Sequence, residues 1–228
     1  MISFAEGRHK IGIITLWQEA FGDSEEVILD YINSLHTPDN MIVYEDNGKV
    51  VGMASMLAIS CKDKKGRYIY AVATAKSHRG RGICRKLMDF AEETAKKRGE
   101  GFLILVPAEK TLFDFYGKMG YNQIVYAPHT AEFVEEGKIL TAKEYYNIRQ
   151  NVLKEADLIG WDEETLNYIL SHGKAVKTAD GAVYREDGRV VEVLSKRLVN
   201  EEWEKPFAQI KYLEDFKFKR PYFGLAMN

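Results

Sequence analysis

Residues Tyr68 to Gly99 constrain the fold more tightly than any other stretch, because the period of their apolar residues changes within one short run. From Tyr68 to Ala75, β-branched and aromatic residues alternate with small ones, the two-residue period of a strand. A basic corner with two glycines follows, His78-Arg79-Gly80-Arg81-Gly82. Beyond it Ile83, Leu87, Phe90, Ala91 and Thr94 recur at helical spacing, while Arg85, Lys86, Asp89, Glu93, Lys96 and Lys97 take the other faces. That pattern predicts an amphipathic helix. Glu92 and Glu93 stand four residues before Lys96 and Lys97, the favourable order for side-chain pairs, and Gly99 offers a left-handed stop. Phe102 to Val106 is then uninterruptedly apolar and ends at Pro107, as expected of a parallel strand covered on both faces.

Strand, helix and strand make one βαβ unit. Its first corner is a helix N-terminus flanked by glycines and arginines, where backbone N–H groups and a positive dipole end meet; this is an anion site, most naturally for phosphate. The dinucleotide pattern G-x-G-x-x-G fails because Arg85 holds the place of the third glycine, and no G-x-x-x-x-G-K-[ST] occurs. Residues Arg79-Gly80-Arg81-Gly82-Ile83-Cys84 instead fit R-x-x-G-x-G/A, departing only at Cys84. By itself the hexapeptide is equally an ordinary basic helix start. With that pattern, however, it resembles the pyrophosphate loop of the GNAT superfamily of acyl-CoA-dependent N-acetyltransferases. A second run, Leu112-Phe113-Asp114-Phe115-Tyr116-Gly117-Lys118-Met119-Gly120-Tyr121, is similar to the family's F-Y-x-K-x-G-F signature at the expected distance.

The order of elements agrees with that resemblance. His9 to Phe21 places Ile11, Ile14, Leu16, Trp17 and Phe21 on a broad helical face, Gly22 with Asp23-Ser24 marks a break and a cap, and a second helix spans Glu25 to Leu35. Met41 to Tyr44 and Val50 to Ser60 read as strands joined across Asp46-Asn47-Gly48, a tight hairpin. The resemblance implies an α/β GNAT fold with a mixed, splayed central sheet over residues 1–126. Residues 127–141 read as a linker, and 142–228 as a C-terminal α+β half-module. That half carries an echo of the first: Val183 to Val191 matches Val43 to Val51 around a second hairpin, preceded by two more helices at Ala142 to Leu153 and Glu163 to Leu170. No second R-x-x-G-x-G/A follows it. A truncated GNAT-like repeat is one reading, and any helix pair plus hairpin is the other. Covering the acceptor pocket or forming a homodimer surface are the roles open to this half, with Tyr145, Tyr146, Trp161 and Trp203 as candidate residues.

Composition excludes several classes. No apolar run approaches a membrane span and Met1 to Lys10 lacks the apolar core of a secretion signal, so a cytoplasmic protein with no membrane partner is expected. Cys61 and Cys84 can make no disulfide framework and lie near no histidine cluster, which argues against a metal. A net charge of -2 gives no general attraction to nucleic acid.

The resemblance implies chemistry residue by residue. Backbone groups of Val72, Ala73 and Thr74 would bind the pantetheine of acetyl-CoA, and Arg79, Gly80, Arg81, Gly82, Ile83, Cys84 and Arg85 would wrap its pyrophosphate. As those contacts come from backbone, side-chain identity at Ala73 or Ile83 should matter little. Tyr116 would be the general acid, a phenol that is protonated at neutral pH without tuning; its other reading is an amphipathic tyrosine at a core margin. Glu109 is either a general base or a helix N-terminal acid. Glu45 and Asp46, beside a hairpin turn, are expected to be solvated. The chain's own end, Pro221 to Asn228, is apolar enough for its carboxylate to be considered as a base. The acceptor expected first is a small-molecule amine and next a protein N-terminus or lysine, while a non-catalytic acyl-CoA-binding or regulatory module is the alternative from another class.

Overall fold

The computed structural model describes residues 1–127, 137–196 and 203–227. The chain begins β1 (Ile2–Phe4), α1 (Lys10–Phe21), α2 (Glu25–Leu35), β2 (Met41–Asp46), β3 (Lys49–Cys61), β4 (Lys64–Thr74), α3 (Ile83–Lys97), β5 (Phe102–Leu105), α4 (Lys110–Gly117) and β6 (Gln123–Ala127). It continues through α5 (Ala142–Val152), β7 (Asp157–Leu158), β8 (Gly160–Trp161), α6 (Glu163–Ser171), β9 (Gly173–Lys177), β10 (Gly181–Glu186), β11 (Arg189–Ser195), β12 (Lys205–Tyr212) and β13 (Pro221–Tyr222). Two compact units alternate along the chain. One comprises Met1–Ala58, Lys65–Leu105 and Lys211–Glu214, the other Ile59–Lys64, Val106–Ile210 and Asp215–Asn228. Among the described residues no helix is long and apolar enough to cross a membrane, and no group of three His, Cys, Asp or Glu side chains is placed to hold a metal.

In the first unit the strands lie in the order β1-β2-β3-β4-β5. β1, β2 and β3 pair antiparallel, whereas β4 and β5 are parallel, so the sheet is mixed. The end of β12 also belongs to this unit, with Leu213 N–H donating to Gly101 O at 2.8 Å. The buried face of α3 is Ile83, Leu87, Met88, Ala91 and Ala95; Ile83, Leu87 and Ala91 point inward as the spacing predicts, whereas Phe90 and Thr94 are half-buried at its margin. α1 differs from expectation: Ile13, Leu16 and Trp17 are buried, but Ile11 is 80% exposed and Phe21 47% exposed. A stripe about a hundred degrees wide cannot contain both Ile11 and Ile13, and Gly12 is the residue that meets β3, where a Cβ would lie 2.8 Å from Val50 Cγ2. Trp17, Tyr31, Tyr68 and Tyr70 pack ring to ring behind α1 and α2, with neighbouring centroids 5.0–5.9 Å apart.

The second unit holds the antiparallel pair β6–β12, the meander β9-β10-β11 and the short parallel pair β7–β13. Asp162 caps α6 by accepting from Thr165 N–H at 2.8 Å, and Thr141 with Glu144 forms a capping box on α5. Tyr145 and Trp161 are core residues, not surface: Tyr145 Oη donates to Glu192 at 2.6 Å and Trp161 Nε1 to Leu225 O at 3.1 Å. Only Tyr146, 41% exposed, lies on the surface as a large apolar group among these candidates, with Trp203 half-buried. The apolar chain end is internal as far as Ala226, with Phe223 and Leu225 each 1% exposed. The terminal carboxylate on Asn228, considered as a base, lies outside the described residues.

Candidate functional site

The sheet of the first unit parts at β4. Its parallel ladder with β5 sets Gly66, Arg67 and Tyr68 against Phe102, Leu103 and Ile104 and extends no further, so Ile69–Thr74 lies outside it. The two strands touch closely at the start: a Cβ on Gly66 would be 2.6 Å from Phe102 O. The alternation of β4 fails immediately after the ladder, where Tyr68 and Ile69 are both buried, and Ala71 then takes φ +49. A left-handed alanine within a strand is strained and re-aims the backbone groups that follow it. Those groups belong to Val72, Ala73 and Thr74. Thr74 Oγ1 is buried and has no hydrogen-bond partner among the described residues. A buried hydroxyl left unmade costs about 1–3 kcal/mol, so this one fits a ligand that would supply the missing partner.

After Thr74 the chain makes one 3-10 turn, Lys76–His78, fastened on both sides. Lys76 N–H donates to Glu19 Oε1 at 2.7 Å, and His78 Nε2 lies 3.4 Å from Asp46 Oδ2. Arg79 Nε then donates back to Thr74 O at 3.3 Å, which turns the start of the loop toward the strand end. Gly80 at φ +76 and Gly82 at φ +72 are left-handed, and nothing lies within 4 Å of where a Cβ would stand on either. Backbone conformation, not crowding, therefore demands glycine here.

Gly82 is the N-cap of α3 and offers no side chain to cap it; no acidic residue occupies the first turn. The helix runs 15 residues, and its first-turn N–H groups have no intrahelical acceptor. Arg79, Arg81 and Arg85 are exposed around it. Uncapped N–H groups, a positive dipole end and three guanidinium groups suit a pyrophosphate. Cys84 is half-buried, and burial pushes its thiol up to about 11 even with Arg85 beside it, so it presents a neutral, protonated group. Ile83 departs from the expectation that its side chain matters little. It is 4% exposed and anchors α3 on the sheet at Gly52, where a Cβ would be 2.7 Å from Ile83 Cγ2.

The second unit carries the other two predicted residues on α4. Glu109 is its exposed N-cap, makes no capping bond, and receives only a 3.5 Å contact from Thr111 Oγ1. Tyr116 is 8% exposed, its ring edge-on to Phe115 at 5.2 Å and to Tyr121 at 6.0 Å.

Sequence reasoning overlooked a polar cluster in the first unit. Glu45 is paired, not solvated: Arg8 Nη1 lies 2.5 Å and His9 Nε2 3.2 Å from its Oε2. His9 Nδ1 accepts from Glu6 N–H at 2.9 Å, which fixes Nε2–H as the donor toward the carboxylate. The Arg8 hydrogen bond holds the Glu45 carboxyl below its ordinary range. These side chains, with Glu19, Lys49 and Ala75, edge a cleft of about 470 Å³ between α1 and the β2–β3 hairpin. The one signal for it was the Glu6-x-Arg8-His9 run before the first helix, which reads as solvated in isolation.

Comparison with known proteins gives a consistent result. No curated protein matches the sequence significantly. Among solved structures, the chain is similar in fold to a GCN5-related N-acetyltransferase from Anabaena variabilis, with 13% identity, TM-score 0.64, and coverage of 94% of this chain and 73% of that one. It is likewise similar to a GCN5-related N-acetyltransferase from Kribbella flavida, at 15% identity and TM-score 0.63 over 93% and 72% of the two chains. A putative acetyltransferase from Pyrococcus horikoshii aligns with 16% identity and TM-score 0.58 over 87% and 73%. The acetyltransferase (GNAT) domain family matches residues 4–124, which include the whole βαβ unit and both motifs. With that match over more than half of its length, the chain belongs to the GNAT family of acyl-CoA-dependent acetyltransferases.

Proposed function

We propose that this protein transfers the acetyl group of acetyl-CoA directly to a primary amine of a small molecule. One observation carries the reading: the end of β4 leaves its ladder, is re-aimed at Ala71, and leads into a left-handed glycine loop before an uncapped helix N-terminus. Val72, Ala73 and Thr74 would hold the pantetheine through their backbone groups, and residues Arg79 to Arg85 the pyrophosphate. The neutral amine attacks the thioester carbonyl carbon, the C–S bond breaks, and the departing thiolate takes a proton while the new amide loses one. Tyr116 is the proton donor in this scheme, a role resting on the family signature around it. Glu109, at a helix N-terminus and exposed, suits stabilisation of α4 better than proton abstraction. Direct attack needs no covalent enzyme intermediate, so Cys84, protonated as it is, has no part in the transfer.

We read the second half as a truncated GNAT-like half-module. Its helices α5 and α6 precede the β10–β11 hairpin as α1 and α2 precede the β2–β3 hairpin, with β7, β8 and β9 standing between without a counterpart in the first half. Its sequence holds no second R-x-x-G-x-G/A, and the role we assign to it is enclosure of the acceptor.

Release of free CoA thiol from acetyl-CoA, followed against a polyamine, an aminoglycoside, free amino acids and a peptide with an open N-terminus, tests the reaction and its acceptor class. On whichever amine turns over, Tyr116→Phe should lower kcat about 100-fold or more with the KM for acetyl-CoA nearly unchanged. Unaltered turnover by that variant would remove Tyr116 from the chemistry. Turnover confined to the peptide would replace the small-molecule acceptor with a protein N-terminus.

A further inference from the structure

We propose that Gln209 is a positioning residue for Tyr116, an inference that rests on the proposed role of that tyrosine as proton donor. Gln209 lies on β12, opposite Ile124 in the antiparallel pair with β6, and is 4% exposed. Its Nε2 donates to two backbone carbonyls at once, Phe113 O at 3.0 Å and Tyr121 O at 2.9 Å. Those carbonyls bracket Tyr116, one three residues before it inside α4 and one five residues after it beyond the helix end. Tyr116 O itself accepts from Met119 N–H at 2.9 Å and Tyr121 N–H at 3.2 Å. One side-chain amide thus ties the last turn of α4 to the segment that leaves it.

The chemistry of the amide explains why this residue type is required. A helix leaves the carbonyls of its last turn short of donors, and a neutral side chain with two N–H groups on one atom can serve two such acceptors without burying a charge. Both acceptors are carbonyl oxygens, so the nitrogen must face them and Oε1 must face away. That oxygen is buried and unpartnered. An orphan acceptor in a core is unfavourable, and the two donated bonds are what offset it. Tyr116 has its ring packed against Tyr121, so the amide fixes the ring and its partner as well as the backbone. A phenol that must meet a departing thiolate gains from such fixing, since a displacement of about an ångström in a catalytic group can cost roughly 100-fold in rate.

Gln209→Met keeps the volume and removes both donors; Gln209→Glu keeps the shape and sets a carboxylate against two carbonyls. The probe is hydroxylamine, which is unprotonated at neutral pH and small enough to need no dedicated pocket, with CoA thiol release above the enzyme-free cleavage of the thioester as the signal. Each variant should lose at least tenfold in kcat and keep the KM for acetyl-CoA within twofold, and its thermal shift with acetyl-CoA should match the parent. In a Tyr116→Phe background the same substitutions should change kcat by less than twofold, because the group they position is gone. An undiminished kcat, or a tenfold loss that persists in the Tyr116→Phe background, would overturn the proposal. If Tyr116→Phe alone is fully active, the underlying assignment of Tyr116 has failed, and that single variant reports it independently of Gln209. Should Gln209→Met not fold, Gln209→Glu is read in its place, with the acetyl-CoA shift as proof of fold.

Discussion

The hairpin of β2 and β3 and the hairpin of β10 and β11 share a register and have opposite uses. In each, a tyrosine closes the regular ladder, Tyr44 opposite Gly52 and Tyr184 opposite Glu192, and the register then slips by one residue. Each turns on a left-handed pair, Asn47-Gly48 at φ +48 and +75, Asp187-Gly188 at φ +48 and +73. The residue opposite the tyrosine is what differs. Gly52 has no side chain, and Ile83 and Leu87 of α3 occupy the space where one would be. Glu192 fills the matched position with a buried carboxylate that accepts from Tyr145 at 2.6 Å, Tyr222 at 2.9 Å and Arg149 Nε at 3.1 Å. Arg149 Nη2 continues to Gly224 O at 3.1 Å. One hairpin thus bares its face so that a crossover helix can lie on it. The other commits that face to an ion pair that fastens the chain end.

Substitutions at the matched positions should separate these uses. The largest effect is expected from Glu192→Ala, which leaves the Arg149 guanidinium buried without its carboxylate. Breaking such a pair costs about 3–5 kcal/mol, readable as a lowered urea midpoint, whereas Arg149→Met with Glu192→Leu together should recover much of the loss. A loss under about 1 kcal/mol in the single variant would mean that the cluster fastens nothing. Next, Gly52→Ala should cost about 1–3 kcal/mol through overpacking against Ile83, and should also weaken acetyl-CoA binding by moving α3. Gly82→Ala should cost about 1–2 kcal/mol from its left-handed backbone, with the loss showing mainly as weaker acetyl-CoA affinity in calorimetry. Full affinity in Gly82→Ala would detach the loop from the ligand.

The smallest effect concerns the other fastening of the chain end, at Asp157. Burial pushes this carboxyl up, but Lys62 and the Arg220 and Lys219 N–H groups outweigh it and hold it below the ordinary range. A depressed carboxyl contributes stability that is complete above about pH 4 and disappears as pH falls through the lowered value. Lys62 is exposed, so the contribution is under about 1 kcal/mol. Asp157→Asn should therefore lower stability by under about 1 kcal/mol at neutral pH, leave the acid end nearly unchanged, and so flatten the acid limb of a stability–pH profile.

What the sequence made legible were features whose cause is local. The apolar spacing of Ile83, Leu87 and Ala91, the Asn47-Gly48 turn and the glycines of the corner each act within a few residues, so periodicity and backbone preference reveal them. Ala71 was illegible, because an alanine carries no mark of a left-handed backbone that is imposed by surrounding strands. Glu192 and Gln209 were illegible for another reason: their partners stand from about thirty to nearly a hundred residues away, and a lone buried acid or amide in a strand looks like a solvated one. Glu45 was misread as solvated on the same ground. The position of β12 was hidden too, since it reaches its partner β6 only after α5, α6 and the whole meander have intervened.

The central claim is that the corner between β4 and α3 holds the coenzyme, and thermal unfolding with excess acetyl-CoA tests it most directly, before any acceptor is known. At about a hundredfold over the dissociation constant, acetyl-CoA should stabilise the protein by roughly 2.7 kcal/mol, and equal NAD or ATP should not. A cooperative transition whose midpoint acetyl-CoA leaves unmoved, or moves no more than NAD does, would contradict it.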